Sequence, residues 1–156
     1  MDPFVAFKFL HIASMFFAVA LAVSGEIVLR RVAVTHDVGA IRVTVSRVRP
    51  LGNVSTILFL AGVAFGIVAA LTGHLDLLAP WLILAYVAFV GAMLVGILIT
   101  DPWVGRLAAA AANSPDNAAS EGLRTVIGDP IARAGTWTLM VLIAALVFIM
   151  VVKPLA

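Results

Sequence analysis

Three ionisable residues, Lys8, His11 and Glu26, lie inside a long apolar run from Phe4 to about Leu29. In a membrane-crossing helix each would be expensive: a charge near the bilayer centre costs roughly 2.5 to 3.5 kcal/mol on insertion scales, so such residues face protein, water or a ligand. At about 100° per residue, Lys8 and Glu26 fall on one line of the helix, with His11, Met15 and Ala22 close to it. The helical rise places Lys8 and Glu26 roughly 27 Å apart, so they cannot pair. Glu26 has Arg30 one turn later, an i,i+4 spacing that suits a surface ion pair. Lys8 is near enough to the end of the run to snorkel. His11 is too short to reach water and needs a hydrogen-bond partner, a metal or a cofactor.

Two chemistries suit that imidazole. A neutral histidine hydrogen-bonds a hydroxyl, and Tyr86 is the candidate; Lys8, Ser14, His74 and the Met150 sulfur share its level. A haem ligand is the alternative, because imidazole is a common axial ligand and apolar helices can sheath a porphyrin. The second axial ligand is then His74, Met150 or none. His11 could also bind copper with methionine sulfurs, but Met15, Met93, Met140 and Met150 sit at different depths.

The elements that position these residues follow from composition. Hydrophobic residues make up 63% of the 156 and charged ones 12%, against roughly 45 to 50% and 25% in soluble domains. The reading is an all-α polytopic membrane protein, a single four-helix transmembrane bundle. Its spans are about 4 to 29, 54 to 73, 81 to 100 and 131 to 152, with connectors 30 to 53 and 101 to 130. The start, Met1-Asp2-Pro3, lacks a basic n-region, so the first run reads as a span rather than a signal peptide. The absence of cysteine removes disulfides, thiolate metal sites and thiol nucleophiles.

All eight arginines fall in the two long connectors or beside them, and the turn from His74 to Pro80 has none. The positive-inside rule makes that side cytoplasmic and both termini non-cytoplasmic. The net charge of +2 reflects this distribution and not a nucleic-acid partner. The partners expected are the lipid bilayer and a protein subunit or a second copy of the chain. In the first connector Val38, Ile41, Val45 and Val48 form a helical stripe, read as an amphipathic helix on the membrane surface with its arginines toward head groups, though Ile41 to Arg49 also alternates like a strand. Asp101-Pro102, Ser114-Pro115 and Asp129-Pro130 each read as a helix start. Gly62, Gly66 and Ala70 in the second span, and Ala88, Ala92 and Gly96 in the third, predict close packing of those two helices. Trp81, Trp103 and Trp137 read as interfacial anchors, and His36 beside Asp37 as solvated or part of a cap.

Several short motifs carry a resemblance. Phe7-Lys8-Phe9-Leu10-His11-Ile12, Leu29-Arg30-Arg31, Leu71-Thr72-Gly73, Pro80-Trp81-Leu82 and Met150-Val151-Val152-Lys153-Pro154 together resemble a family of bacterial four-span integral membrane proteins of unknown function. More distantly, the Lys-x-Leu-His start is similar to the CopD and HemJ types, where a first-helix histidine is associated with metal or haem. The resemblance implies a bacterial plasma-membrane location and a metal or b-type haem role for His11. Two features depart from it. Phe16-Phe17-Ala18-Val19 replaces the usual Trp-x-Gly-Gly, and no lysine lies between Trp81 and Thr100, where the HemJ type needs one. The function expected is a non-catalytic membrane accessory subunit in which His11 either binds haem b or fixes a partner-facing polar network. The alternatives are a small transport component for a copper-like ion or small molecule, and a haem-pathway enzyme. The spans show no paired acid and base for catalysis.

Overall fold

The computed structural model describes residues 2 to 154. Helix α1 spans Pro3–Ala33 and α2 Val38–Thr72. Helix α3, Pro80–Val95, runs through a π-helical turn, Gly96–Thr100, into α4, Asp101–Ala112. A short α5, Glu121–Ile127, precedes α6, Pro130–Val152. Four stretches are long and apolar enough to cross a membrane: Pro3–Ala33, Val38–Thr72, Pro80–Ala112 and Glu121–Val152. Among the described residues there is no strand.

The helix starts have simple causes. Asp2, Asp37, Ser120 and Asp129 each accept a hydrogen bond from a first-turn N–H, and Pro3, Pro80 and Pro130 occupy positions where no N–H is needed. The Asp129 carboxyl, in the connector before α6, is held below the usual carboxylate range chiefly by the Ala132 N–H, then by Arg106 and the Ile131 N–H. This cap therefore persists at neutral pH and is lost only on acidification below that range.

Two expected helix starts are absent. Asp101-Pro102 does not start a separate helix: α3 continues into α4 through the π turn just before it, where the Asp101 N–H reaches back to the Gly96 carbonyl. Widening there lets the helix pass a proline whose ring would otherwise meet the carbonyl four residues earlier. Ser114-Pro115 does not start one either; the Ser114 hydroxyl donates to Ala110 O and bonds Ser120 Oγ, closing the end of α4. The first connector differs likewise. Residues 38 to 53 are helical and their stripe faces inward, with Val38, Ile41 and Val45 buried, but they continue through Pro50 into the second span and do not form a separate surface helix.

The helices pair as two hairpins, α1 with α2 and α3 with α6. The second and third spans meet only slightly, through Phe59 and Phe89, whose ring centroids are 6.3 Å apart. The small-residue stripes serve other partners than expected. On α2, Gly62 receives Met15, Gly66 receives His11 and Gly73 receives Phe4, all from α1. On the third span Gly96 of the expected stripe meets nothing within 4 Å, and it is Gly91, outside that stripe, that faces Leu142 of α6. Small residues show that a helix is approached closely, not by which neighbour. Phe4 beside Gly73, and the Lys153 ammonium 5.1 Å from the Trp81 ring, put both ends of the described chain at the end holding the 73–79 turn.

At roughly 1.5 Å per residue, α1 and α2 measure about 46 and 52 Å, more than ~30 Å of hydrocarbon requires. The excess builds a compact layer at the arginine-rich end. Its core contains Leu29, Ile41, Trp103, Leu107 and Leu123, drawn from α1, α2, α4 and α5, all essentially inaccessible to solvent. Within it Arg42 donates to the carbonyls of Ala111, Ala112 and Ser114 and pairs with Asp116. That arginine caps the end of α4 and is not directed at head groups.

The π turn seats Ile99 against Gly135 of α6, where an added Cβ would lie 2.5 Å from Ile99 Cγ2. A β-branched side chain cannot swing away from such an overlap. Gly135→Ala is therefore expected to cost about 1 to 3 kcal/mol in thermal unfolding in detergent. Adding Ile99→Ala should restore most of the loss and Ile99→Val should not. A neutral Gly135→Ala would show that the two helices do not meet here.

Candidate functional site

His11 lies half-buried between α1 and α2. Its Nδ1 is 2.7 Å from the Gly62 carbonyl oxygen; a carbonyl only accepts, so the proton is on Nδ1, and in the neutral ring Nε2 is then the nitrogen that carries the lone pair. The ring fits because residue 66 is glycine: a Cβ there would lie 2.7 Å from Nδ1 and 3.0 Å from Cε1. One turn on, Met15 fills the notch at Gly62. Deeper along the same interface the Ser55 hydroxyl donates to Ala18 O at 2.9 Å. Each helix thus gives one side-chain hydrogen bond to a backbone carbonyl of the other.

The partners expected for His11 lie elsewhere. Lys8 is exposed, its ammonium 5.6 Å from the Phe4 ring. His74 is exposed in the turn after α2 with φ 53°, in the left-handed region. Tyr86 is 42% exposed on α3. Met150 is half-buried near the end of α6. None of these hydrogen-bonds His11 among the described residues, where no group of three or more His, Cys, Asp or Glu could hold a metal ion. His36 is exposed beside the Asp37 cap.

A second cluster lies where the hairpins join. Glu26 is only 6% exposed, and its Oε1 accepts from Arg30 Nε at 2.7 Å and from the Thr136 hydroxyl at 2.5 Å. Arg30 Nη2 donates to Ala132 O at 2.7 Å, and its guanidinium lies 4.2 Å from the centroid of the Trp103 ring. The expected Glu26–Arg30 pair is therefore present but buried between α1, α4 and α6, not set on the surface.

No family model, curated protein or solved structure matches this chain.

Trp103 is 1% exposed, with its indole N–H donating to Val126 O, and Trp81 is also buried; only Trp137, 70% exposed, has the surface position of an interfacial anchor. Thr136 and Trp103 carry no local sign of this role in the sequence. Their partners are 110 and 73 residues away along the chain, and only the i,i+4 spacing of Glu26 and Arg30 is a pointer.

Beside this junction opens a cleft of about 690 Å³ between the ends of α1 and α6, lined among others by Ile27, Arg30, Arg31, Arg133, Thr136 and Trp137. A cavity of this size is within the range used for small-molecule and cofactor binding.

Removing one partner of a buried ion pair strands the other, at a cost of about 3 to 5 kcal/mol. Glu26→Ala is expected to fall in that range in thermal unfolding, and Thr136→Val near ~1 kcal/mol. Their combination should cost less than the sum, since both remove the same hydrogen bond. Strict additivity would separate Thr136 from the pair. At the other site, Gly66→Ala is expected to destabilise by ~1 kcal/mol or more and to abolish the His11 bond, while Gly62→Ala, met only by a flexible methionine, stays nearer neutral. An imidazole NMR shift unchanged by Gly66→Ala would contradict this.

Proposed function

We propose that the chain is a non-catalytic integral membrane subunit whose buried polar side chains join helices. The observation that carries the reading is the junction itself: Glu26 and Arg30 engage each other, Thr136 and the Ala132 carbonyl, and so bridge the two hairpins. His11 and Ser55 do the same work between α1 and α2. By the positive-inside rule the arginine-rich layer lies in the cytoplasm of a bacterial cell and both termini lie outside. The apolar side chains exposed along all four long helices face lipid and a protein partner or a second copy.

One observation favours a second reading, in which His11 binds a b-type haem. An imidazole whose Nδ1–H is fixed by a carbonyl presents Nε2, the arrangement that orients metal-binding histidines. A haem there would be held by His11 alone, since none of His74, Tyr86 and Met150 hydrogen-bonds the imidazole. Bound there, a haem would supply electron transfer or ligand binding. The protein's contribution would be to hold the imidazole through Gly62 and Gly66.

One preparation distinguishes the readings. The subunit reading expects a protein without a Soret band when purified from native membranes. It expects His11→Ala to lose about 0.5 to 2 kcal/mol of stability, the range for one interhelical hydrogen bond in a membrane. A Soret band in the wild type that is absent from His11→Ala would overturn it in favour of haem.

A further inference from the structure

We propose that the cleft between the ends of α1 and α6 binds the head group of an anionic glycerophospholipid, with the lipid's acyl chains lying along the apolar side of the same cleft. The charges point to it first. Three of the eight arginines are held by the protein: Arg30 by Glu26, Arg42 by Asp116 and Arg106 by Asp129. Arg31 and Arg133 are exposed, and neither has a carboxylate within salt-bridge distance among the described residues. Both line this cleft, whose lining acid, Asp129, is already paired with Arg106 at 2.7 Å. Two arginine charges are thus left uncompensated in one concavity.

The spacing along the helices adds the second feature. On α1 and its cap the cleft runs from Ile27 to Val34, and on α6 from Arg133 to Met140; within it Ile27 and Arg31, and Trp137 and Arg133, are each four residues apart and so on one helical face. On both walls an apolar residue lies on the span side of the arginine, Ile27 on α1 and Trp137 on α6. Met140 extends the apolar wall by another turn. The two arginines therefore have an apolar wall on their span side, as a lipid head group has its acyl chains, although Ala33, Val34 and Ile127 also line the far end; Trp137 stands at the level of the change, where indole rings favour the head-group region. Guanidinium groups recognise phosphate oxygens through paired N–H donors, and basic pockets beside spans recognise anionic head groups. An inorganic anion would use only the cationic end, leaving the tryptophan and methionine wall without a purpose.

The proposal rests on the reading that the long helices lie in a bilayer, and one experiment can separate the two. The full chain is reconstituted into phosphatidylcholine vesicles containing either brominated phosphatidylglycerol or brominated phosphatidylcholine at equal mole fraction. Quenching of tryptophan fluorescence is then read; Trp137 and Trp103 both line the cleft and Trp81 lies at the opposite end of the bundle, so the lipid-specific difference in quenching reports the cleft. Phosphatidylglycerol is expected to be preferred at this site by roughly thirtyfold, as two interfacial arginines imply. The preference should fall to near unity in the Arg31→Gln, Arg133→Gln double variant and partway in each single variant. It should survive Arg124→Gln, which removes an exposed arginine away from the cleft.

Equal quenching by the two lipids would overturn the site while leaving the membrane reading intact. So would a preference that survives the double variant, or one abolished by millimolar inorganic phosphate. Dependence on protein concentration but not on lipid would assign the cleft to a second copy instead and overturn the lipid. Failure to co-float with vesicles of either composition would contradict the membrane reading, and the site with it. Circular dichroism of each variant confirms the helical fold, and the single variants carry the test should the double one fail to fold.

Discussion

A carboxylate withdrawn from water needs a cation and further donors around it, and Glu26 meets that requirement in a way that fixes how the two hairpins sit together. Its partners come from its own helix through Arg30 and from α6 through Thr136, while Arg30 reaches the Ala132 carbonyl and lies over Trp103 of α4. In a low-dielectric setting these contacts are strong when complete and costly when partial. Elsewhere in the spans the hairpins share little beyond the Phe59–Phe89 contact. The buried junction and the packed layer around Leu29, Ile41, Trp103 and Leu107 therefore hold the four helices as one bundle.

The same rule, that polar groups in lipid must find partners within the protein, explains the α1–α2 seam. Glycines at 62, 66 and 73 admit Met15, His11 and Phe4, and the closeness they allow brings His11 within reach of a backbone carbonyl. Burial of an imidazole and burial of a glycine notch are one structural event. The π turn at Gly96–Thr100 has the corresponding role on the other side, carrying a helix past Pro102 and bringing Ile99 onto Gly135, next to the Thr136 that completes the Glu26 site. Local backbone irregularity and the polar junction are thus mechanically connected.

Much of this is legible in the sequence where the signal is local. Apolar run lengths give the four helices, the 38, 41 and 45 spacing gives the buried stripe of α2, Asp129-Pro130 marks the start of α6, and i,i+4 spacing gives the Glu26–Arg30 pair. What depends on distant partners is not. A glycine stripe cannot say which helix fills it, so the second and third spans look like the close pair. Trp103 looks like an interfacial anchor until Arg30 and Val126 are seen to enclose it. Arg42 reads as a membrane-facing charge until the end of α4 is seen to fold onto it. The π turn has no residue signature of its own, so Asp101-Pro102 looks like a boundary. For the candidate site, the sequence singles out His11 as a side chain in need of a partner but not the Gly62 carbonyl that supplies one, and it places Glu26 at the surface when its second contact comes from residue 136.

That the Glu26 junction holds the hairpins together is open to direct measurement in a chain with no native cysteine. Spin labels on Leu60→Cys and Val147→Cys, exposed sites on α2 and α6, report the distance between hairpins by electron–electron resonance in lipid nanodiscs. With Glu26 present a single narrow distribution is expected, and in a Glu26→Ala background a broad one, while far-UV circular dichroism shows the helices retained. An equally narrow distribution at the same distance without Glu26 would contradict the central role of the buried ion pair.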